Sequence, residues 1–392
     1  MPLSSRQRLQ LALSCHQPDH PPCSFMLFGG LWAVSASYLA YIQSLLDLGL
    51  DAYLQIPPRE PRLMNDSYNL HGLPVNFDPR VRIEEWVEND PKQRYPILVK
   101  EYHTPAGSLR TEVRQTEDWR HGDHIPFMDD YLSSRSLKFL VESSADLDKL
   151  AYLLMKPTFE EVAQFENLSR APIEFARQRD LLLVGGWGVG ADMFGWLFGL
   201  QNMLYAVYDQ PELIQHLLQM FAEWNRSRME VVLAAGVDLY IKRAWYENCD
   251  FWTPTKFRQF LAPIIRSEAA LAHQHEARFG YLITANSMQL LEQIAECGVD
   301  VLIGVDPMTY DLERTKKILG GRVCLWGGVN GHLTVECGSP DEVRQEVRQA
   351  MDLLAPNGGF ILSPVDNVRE LTRQSRENVL ALIDEWQRST NN

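Results

Sequence analysis

Residues 299–326 read VDVLIGVDPMTYDLERTKKILGGRVCLW, and this stretch decides the predicted fold. The apolar run at 299–305 has the composition of a strand that is buried on both faces, and a second such run follows at 323–326. Between them, residues 311–319 carry apolar side chains at helical spacing. A strand, a helix and another strand in this order form the repeating unit of a parallel sheet, so the stretch predicts an α/β fold.

The same pattern continues in both directions along the chain. The other apolar runs that predict strands are 24–28, 52–56, 181–184, 237–241, 279–283 and 360–362. The other segments with helical spacing are 37–48, 158–179, 211–235, 254–277, 287–297 and 340–354. Eight strands that alternate with helices predict a (β/α)8 TIM barrel in which residues 1–392 form a single domain; a doubly wound parallel sheet is the alternative.

Three of the predicted helices begin with residues that favour a helix N-terminus. Ser339-Pro340-Asp341-Glu342 has the pattern of a capping box with proline in the first helical position. Thr253-Pro254 and Gln210-Pro211 place proline at the same point, where its missing N–H has no helical partner to lose. These N-terminal patterns strengthen the prediction of a helix in each segment that follows.

The interval between the second and third predicted strands is too long for the repeat. Residues 97–102 and 108–113 are short alternating stretches, and Thr104-Pro105-Ala106-Gly107 between them is typical of a hairpin turn. We therefore predict a β-hairpin insertion at residues 72–130, in the loop after the second strand.

The net charge and the composition limit the kinds of partner that the protein is expected to bind. Lys and Arg number 37 against 51 Asp and Glu, and the resulting net charge of -14 repels nucleic acid and anionic membranes. No apolar run approaches the roughly 18 residues of a membrane span, and the first fifteen residues do not follow the pattern of a signal peptide. The six cysteines show no C-x-x-C spacing and are predicted to be reduced. We expect a cytoplasmic protein that acts on a small molecule.

Polar side chains follow most of the predicted strands, at the edge where parallel barrels place their sites. The site candidates at these strand ends are Arg243, Trp245, Tyr246, Glu247, Asn286, Asp306, Asn330, His332 and Asp366. Residues 243–247 put a cation, two large rings and a carboxylate in one short turn, which favours a functional loop over a solvated one. A structural explanation stays open for the others: Asp306 precedes a proline and can start a turn, and Asp366 can cap the next segment.

Lys242 precedes these candidates at the end of the fourth predicted strand. A lysine in this place can form a Schiff base if burial lowers its pKa, or it can contact a substrate carboxylate beside Arg243. We favour the third interpretation, a solvated lysine.

The sequence resembles the uroporphyrinogen decarboxylase superfamily over nearly its whole length. The residues that carry the resemblance are Arg6-Gln7-Arg8, Gln17-Pro18-Asp19-His20-Pro21-Pro22, Ala235-Gly236-Val237-Asp238, Phe260-Leu261-Ala262-Pro263, Cys297-Gly298-Val299-Asp300, Gly327-Gly328-Val329-Asn330 and Gly358-Gly359-Phe360-Ile361-Leu362. The resemblance implies a (β/α)8 barrel and a homodimer. It also implies decarboxylation, as in haem biosynthesis, or methyl transfer with a corrinoid or thiol cofactor.

The functional residues of that superfamily are replaced in this sequence. Phe28-Gly29-Gly30-Leu31-Trp32 stands where the decarboxylases have an arginine-rich motif, and Pro57-Pro58 stands at their catalytic aspartate. Their Gly-His-Gly falls near Val365-Asp366-Asn367. Leu282-Ile283-Thr284 replaces the His-x-Cys with which the methyltransferases hold zinc, so we predict no metal site. The resemblance thus implies a divergent branch.

We therefore expect a lyase of the decarboxylase type that acts on an anionic small molecule, with tetrapyrroles among the candidates. Arg243 would pair a substrate carboxylate, and Glu247, Asp306 or Asp366 would act as general acid or base, with Tyr246 as a second proton donor. The residues expected to wall the pocket are Trp187, Trp196 and Trp245. Those expected to orient the substrate are Asn286, Asn330 and His332.

Two alternatives stay open at this point. The first is corrinoid-linked methyl transfer, for which a divalent metal held by carboxylates would replace the zinc. The second is a tetrapyrrole or corrinoid binding protein without catalysis. Under the lyase hypothesis no cofactor is expected.

Overall fold

A computed structural model describes residues 3–58, 72–89, 91–92 and 94–390. The chain divides into two compact units. The first unit takes its described residues from 1–60, 163–187 and 231–392, and the second takes them from 61–162 and 188–230. Each unit has its own sheet, and we describe them separately.

The strands, numbered along the chain, form two sheets. They are β1 (Tyr53–Gln55), β2 (Arg82–Glu88), β3 (Ile97–Thr104), β4 (Gly107–Arg114), β5 (Ser136–Lys138), β6 (Leu182–Gly188), β7 (Leu239–Arg243), β8 (Arg278–Leu282), β9 (Val301–Val305), β10 (Cys324–Asn330) and β11 (Phe360–Val365). The first sheet has seven strands in the order β1-β6-β7-β8-β9-β10-β11, and the second has four in the order β2-β3-β4-β5.

The parallel sheet of the first unit confirms the predicted α/β class and seven of the predicted strands. The first predicted strand, 24–28, is wrong as a regular strand. Cys23 and Leu27 each form only an isolated parallel bridge, with residues in and just after β11. The Met26 amide donates to the Ser363 hydroxyl, at 3.0 Å, instead of to a backbone carbonyl, and this interrupts the ladder.

The seven-stranded sheet is curled, because one short segment bonds near both of its edges. The Ser24 amide donates to the Leu362 carbonyl of β11, at 2.9 Å. On the other side, the Asp51 amide just before β1 donates to the Cys23 carbonyl, at 2.8 Å. The two edge strands of the sheet, β1 and β11, are therefore both approached by residues 22–24.

The helices include α1 (Ser5–Leu13), α2 (Gly29–Val34), α3 (Tyr38–Asp47), α4 (Leu132–Arg135), α5 (Leu147–Leu150), α6 (Phe159–Arg179), α7 (Asp192–Leu197), α8 (Leu200–Asp209), α9 (Pro211–Ala234), α10 (Pro254–Lys256), α11 (Ala262–Gln274), α12 (Leu291–Glu296), α13 (Leu312–Leu319), α14 (Pro340–Leu354) and α15 (Arg373–Thr390). Short 3-10 helices lie at Ser144–Asp146 and Ala151–Leu153, and π-helical turns lie at Phe257–Leu261 and Gly331–Glu336. The predicted capping box at Ser339 is confirmed: its side chain accepts from the Glu342 amide, and Glu342 reaches back to the Ser339 amide.

Two predicted helices are interrupted or shortened. The segment 254–277 consists of α10, the π-helical turn Phe257–Leu261 and α11, because Pro263 has no amide to continue a regular α-helical pattern through this point. The segment 287–297 is helical only over α12, since the Leu290 amide closes a turn onto the Ser287 carbonyl before the helix begins.

The second unit contains the antiparallel sheet. Strands β3 and β4 pair from Ile97 with Arg114 to Thr104 with Gly107, so residues 104–107 connect them. Residues 90 and 93 of the segment 72–130 lie outside the described residues, and the description of this segment as an insertion in one barrel domain stays a prediction.

A buried arginine links three segments of the second unit. The Arg228 guanidinium donates to the Met155 carbonyl at 2.9 Å and to the Pro74 carbonyl at 3.0 Å, and it lies 3.9 Å from the centre of the Trp224 ring. Burial lowers the pKa of Arg228 to about 9. The side chain thus ties two separate loops to α9 through carbonyl oxygens.

One glycine of the parallel sheet permits close approach of two strands. Gly186 in β6 has φ +115°, and a Cβ atom built on it would lie 2.3 Å from the carbonyl oxygen of Ile241 in β7. We expect Gly186→Ala to lower the free energy of unfolding by about 2–4 kcal/mol, from the strained backbone and the steric contact together. Urea unfolding followed by tryptophan fluorescence measures this loss.

Gly236 provides the matched control for that substitution. It also has positive φ, at +78°, but a Cβ atom built on it would meet no atom of the described residues within 4 Å. Gly236→Ala should therefore cost only about 1 kcal/mol, from the backbone conformation alone. Equal losses for the two variants would contradict the close contact at Gly186.

Candidate functional site

The loops after five consecutive strands of the first unit, β7 to β11, are connected by hydrogen bonds and charge interactions at one edge of the sheet. The loops after β7 and β8 are joined where the Cys249 amide donates to the Asn286 carbonyl, at 2.9 Å. Tyr310, after β9, is buried. Burial raises its pKa, and the nearby Cys249 and Asp306 raise it further. Asp306 in turn accepts a hydrogen bond from Asn330 at the end of β10, and its negative charge raises the pKa of Asp366, after β11. Because parallel strands end at a common edge, this is the arrangement that gathers polar groups from distant parts of the chain.

Asp306 and Asn330 form the central pair of this edge. The Asn330 side-chain amide donates to Asp306 Oδ2 at 2.8 Å, and both residues are buried. The other Asp306 oxygen accepts from the Met308 amide at 2.8 Å. Asn330 Oδ1 caps the π-helical turn by accepting from the Leu333 amide. The orientations of both side chains are therefore held by the backbone.

Glu346 of α14 lies behind this pair, and the sequence analysis missed it. It accepts from the Asn330 amide at 2.9 Å and from the Thr334 hydroxyl at 2.7 Å. Burial raises the pKa of Glu346, and the Asn330 amide and the Thr334 hydroxyl oppose that rise. Through these two hydrogen bonds, Glu346 holds the end of β10 and the turn after it against α14.

Asp366 follows β11 and combines a left-handed backbone with a shifted pKa. Its φ of +68° lies in the left-handed region, which aspartate and asparagine adopt more readily than most other residues with a side chain. Burial by the surrounding atoms raises the pKa of Asp366, and the carboxylates of Glu336 and Asp306 raise it further, against Arg369 and His332. The side chain nevertheless remains exposed to solvent. It is therefore a reachable carboxyl group that holds a proton more readily than an ordinary aspartate.

His332 and Glu336 lie on the π-helical turn Gly331–Glu336, and the charges of both influence the pKa of Asp366. His332 Nδ1 is 2.8 Å from Glu336 Oε2, and the His332 ring is about half exposed. Glu336 also accepts from the Arg369 amide at 2.5 Å. Burial raises the pKa of Glu336, but His332 and Arg369 outweigh it and leave the pKa lowered. The sequence analysis did not identify Glu336; its four-residue spacing from His332 on a helical segment was the available signal.

Arg243 and Trp245 form a second polar feature, at the end of β7. The Arg243 guanidinium carbon lies 3.8 Å from the centre of the Trp245 ring. Arg243 is buried, whereas Trp245 and Tyr246 are partly exposed. Tyr246 packs edge-on against Phe251. Since Lys242 is directed towards α11, and successive strand residues point to opposite faces, Arg243 faces away from that helix.

Lys242 and Glu247 belong to a buried polar cluster, which also contains Glu268 and Tyr281. Lys242 Nζ lies 2.6 Å from Glu268 Oε2 and 3.9 Å from Glu247 Oε1, and the Tyr281 hydroxyl donates to Glu247 Oε2 at 2.5 Å. All four side chains are almost completely buried. The interpretation of Lys242 as a solvated lysine is therefore wrong: its ammonium group is held between the sheet and α11. The contacts of Glu247 are those of a structural ion pair.

The remaining candidates are distributed over both units. Trp187 ends the part of β6 that belongs to the first unit; it is buried, with φ +25°. Trp196 belongs to the second unit, where its indole donates to Asp130 Oδ1 at 3.1 Å. Asn286 is exposed, and its side-chain oxygen accepts from the Met288 amide, two residues further along the chain, at 3.2 Å. Asn286 thus shapes its own turn.

Tyr310 is a buried phenol that the sequence analysis did not select. Burial raises its pKa, and the hydroxyl of Ser287 beside it opposes that rise. The residue connects the loops after β8 and β9. Its backbone amide donates to the Asp306 carbonyl at 2.8 Å and closes the turn that contains both residues.

The donor set for a metal ion is absent from the part of the chain that the structure describes. No three side chains of His, Cys, Asp or Glu there stand together in a way that could hold a metal. Leu282, the end of β8, and Ile283 are buried apolar residues where a zinc site of the methyltransferase type would need thiolate or imidazole. These residues do not fit zinc, and we derive no step through a metal.

A curled parallel sheet with polar residues at the carboxyl ends of its strands is typical of α/β proteins, a class whose ligand sites lie at that edge. The sequence pattern of the family described as uroporphyrinogen decarboxylase (URO-D) matches residues 156–387, more than half of the chain. The chain belongs to the uroporphyrinogen decarboxylase family.

Individual relatives are distant. A uroporphyrinogen decarboxylase from Thioalkalivibrio sulfidiphilus is 30% identical over 183 residues, which cover 46% of this chain and 50% of the relative. One from Hydrogenovibrio crunogenus is 26% identical over 164 residues, which cover 40% and 44%. The chain thus matches about half the length of these curated relatives.

The fold is shared over the whole chain with a solved methyltransferase from Methanosarcina mazei. The two align over 98% of this chain and 99% of the other, with a TM-score of 0.62 and 19% sequence identity. This likeness shows the fold. None of the described helices combines the length and the apolar character needed to span a bilayer.

Proposed function

We propose that the protein is a carbon–carbon lyase of the decarboxylase type that acts on an anionic small molecule. The observation that carries the proposal is Asp366, a solvent-accessible carboxyl with a raised pKa at the edge of the sheet. Membership of the uroporphyrinogen decarboxylase family supports it. We also infer that residues 22–28, although they form only isolated bridges, close the sheet between β11 and β1 into a (β/α)8 barrel, with the site at its mouth.

The proposed step needs one proton donor. When the bond between carbon and the leaving carboxylate breaks, carbon dioxide departs and the electron pair stays on the carbon. The protonated Asp366 carboxyl gives its proton to that carbon, and water returns a proton to Asp366 afterwards. A carboxyl with a raised pKa suits this role, because it keeps its proton to a higher pH than an ordinary aspartate does.

Asp306 and Asn330 would position the reacting group from the other side. Hydrogen bonds from the Asn330 side-chain amide and the Met308 backbone amide fix the Asp306 carboxylate. The carboxylate therefore does not need to reorganise during the reaction. Its negative charge also helps to keep the proton on Asp366. His332, Asn286 and Tyr246 are proposed contacts to the substrate's polar periphery, and Trp187 and Trp245 are proposed to exclude water.

Arg243 is proposed to bind a substrate carboxylate that does not react. Its planar guanidinium on Trp245 can form two parallel hydrogen bonds to a carboxylate, which lysine cannot. We expect Arg243→Lys to raise KM about tenfold, the effect of losing one charge-assisted hydrogen bond, with a small change in kcat. Steady-state kinetics measure both. Arg258→Lys, an exposed position on the π-helical turn Phe257–Leu261, is the matched control.

The first assay uses uroporphyrinogen, the substrate named for the curated relatives. The protein is incubated anaerobically with uroporphyrinogen, and released carbon dioxide and the mass of the product are followed. A panel of smaller polycarboxylates follows if the tetrapyrrole is not turned over. Carbon dioxide release that depends on active protein supports the proposal; binding of all these compounds without any release would overturn it.

Methyl transfer is the second candidate, and the methyltransferase with the same fold is its support. It predicts transfer of a methyl group from methylcobalamin to a thiol, with a stoichiometric divalent metal in the purified protein whose removal abolishes the activity. Metal analysis and a methylcobalamin absorption assay, with and without chelator, separate it from decarboxylation. A binding protein without catalysis would instead shift the absorption of a corrinoid or tetrapyrrole and give no product.

A further inference from the structure

Exposed apolar side chains of the first unit are concentrated at the edge of the sheet that carries the candidate site. Five large apolar side chains are exposed among the described residues of this unit: Val34 (69%), Met308 (62%), Leu333 (54%), Leu380 (49%) and Leu168 (46%). The first three follow the carboxyl ends of the segment 24–28, β9 and β10. The other two lie within the long helices α15 and α6. The concentration at one edge indicates an apolar surface around the polar centre of the site.

The polar pair at the centre of the site holds the backbone that carries Met308 and Leu333. The Met308 amide donates to Asp306 Oδ1 at 2.8 Å. The Leu333 amide donates to Asn330 Oδ1 at 2.6 Å, and the Asn330 side-chain amide donates to Asp306 Oδ2. One chain of hydrogen bonds therefore fixes both exposed residues relative to the pair.

Helix α2, which ends at Val34, is attached to the loop after β11. The Gly29 amide at the start of α2 donates to Asn367 Oδ1 at 2.8 Å, and Asn367 directly follows Asp366. Each of the three exposed residues thus lies on a segment that is hydrogen-bonded to a polar residue of the candidate site or to its neighbour. We call Val34, Met308 and Leu333 the apolar rim.

The cation that is proposed to bind a carboxylate lies on another side of the same edge. Arg243 ends β7, which is two strands away from β9 and three from β10 in the sheet order. Neighbouring strands lie about 4.8 Å apart, so the rim begins about 10 Å from the end of β7 along the sheet. A ligand that contacts both must carry an anionic group at one end and apolar surface at the other.

We propose that the site binds an amphipathic carboxylate, with an anionic group on Arg243 and an apolar part, about 10 Å away, against the apolar rim. This inference rests on the proposed function for the role of Arg243, and it adds the class of substrate. The apolar part removes the exposed surface of the rim from water, which stabilises the complex. It also keeps water away from the carbon that Asp366 is proposed to protonate.

Linear carboxylates of increasing length are the probe for the apolar rim. Isothermal titration calorimetry of the full chain with hexanoate, octanoate and decanoate should show about fourfold tighter binding for each added methylene. Met308→Ser and Leu333→Ser should each reduce this gain, and the double variant M308S/L333S should reduce it to less than about twofold. Arg243→Lys should instead weaken the binding of all three compounds by the same factor and leave the gain unchanged.

Leu380→Ser is the matched control, since it removes an apolar side chain of similar exposure from α15. It should leave the affinities unchanged, and thermal unfolding checks that each variant is folded. Wild-type affinity that does not increase with chain length, a gain that the double variant keeps, or a gain that Leu380→Ser also removes would each overturn the proposal. These measurements need no turnover, so a failure of the apolar rim is distinguishable from a failure of the proposed lyase reaction, which is measured as carbon dioxide release.

Discussion

Replacing Lys242 by methionine is expected to lower the free energy of unfolding by about 3–5 kcal/mol, the usual effect of leaving a buried charge without its partner. The Lys242 ammonium group contacts the carboxylates of Glu268 and Glu247, and all three side chains are shielded from water. Methionine has a similar volume and adds no polar atom, so a cavity contributes little to the loss. Urea unfolding at neutral pH, followed by tryptophan fluorescence and circular dichroism, measures this loss in the free energy of unfolding.

Two further variants identify the cause of that loss. Lys317→Met on the exposed side of α13 removes one positive charge without a buried partner and should change stability by no more than about 0.5 kcal/mol. The double variant K242M/E268M replaces the closest ion pair by two apolar side chains and should be more stable than Lys242→Met alone. If Lys242→Met and Lys317→Met lose equally little, the buried ion pair does not stabilise the fold.

Asp366→Asn is expected to reduce kcat by about 10²- to 10⁴-fold, the range for loss of a general acid. Asparagine has the same shape and tolerates the left-handed backbone at φ +68° at least as well as aspartate, so the variant should fold normally. Turnover and thermal unfolding measured on the same preparation separate the two effects. Asp352→Asn, at an exposed position on α14, should change neither.

The pH dependence of the wild type follows from the same carboxyl group. The pKa of Asp366 is raised, and the proposed donor is the protonated form, so kcat should be highest at low pH and fall as pH rises through that pKa. In Asp366→Asn the residual rate should lack this decline. A wild-type rate that rises over the same interval would instead indicate a carboxylate acting as a base.

The fold and part of the candidate site could be predicted from the sequence, for a physical reason. Strands buried on both faces need continuous apolar runs, and these mark β9 and β10 directly. Because parallel strands end at one edge, the segments just after these runs indicated Asp306, Asn330 and Asp366, and a hydrogen bond or a charge interaction does connect these three. The regular strand at 24–28 was wrong because a side chain, Ser363, bonds the amide that the ladder needs.

Other parts of the site depend on features that a residue pattern does not contain. Glu336 was indicated only by its spacing from His332, and its influence on Asp366 depends on where the fold places the π-helical turn 331–336 relative to the end of β11. Lys242 and Arg243 are adjacent in sequence, and which of them faces α11 depends on the pairing of β7 with its neighbours. Glu247 follows the same strand, but its side chain points into the buried cluster around Lys242. Its position in the sequence, four residues after Arg243, did not indicate this direction.

The most direct test of the proposed reaction is decarboxylation of uroporphyrinogen in deuterated water. The account predicts that each carbon that loses carbon dioxide gains one solvent-derived deuterium, and that both carbon dioxide release and deuterium uptake fall together in Asp366→Asn. Release of carbon dioxide at an unchanged rate in Asp366→Asn would contradict the role of Asp366. Absence of release from the folded wild type, with methyl transfer observed instead, would contradict the proposed function.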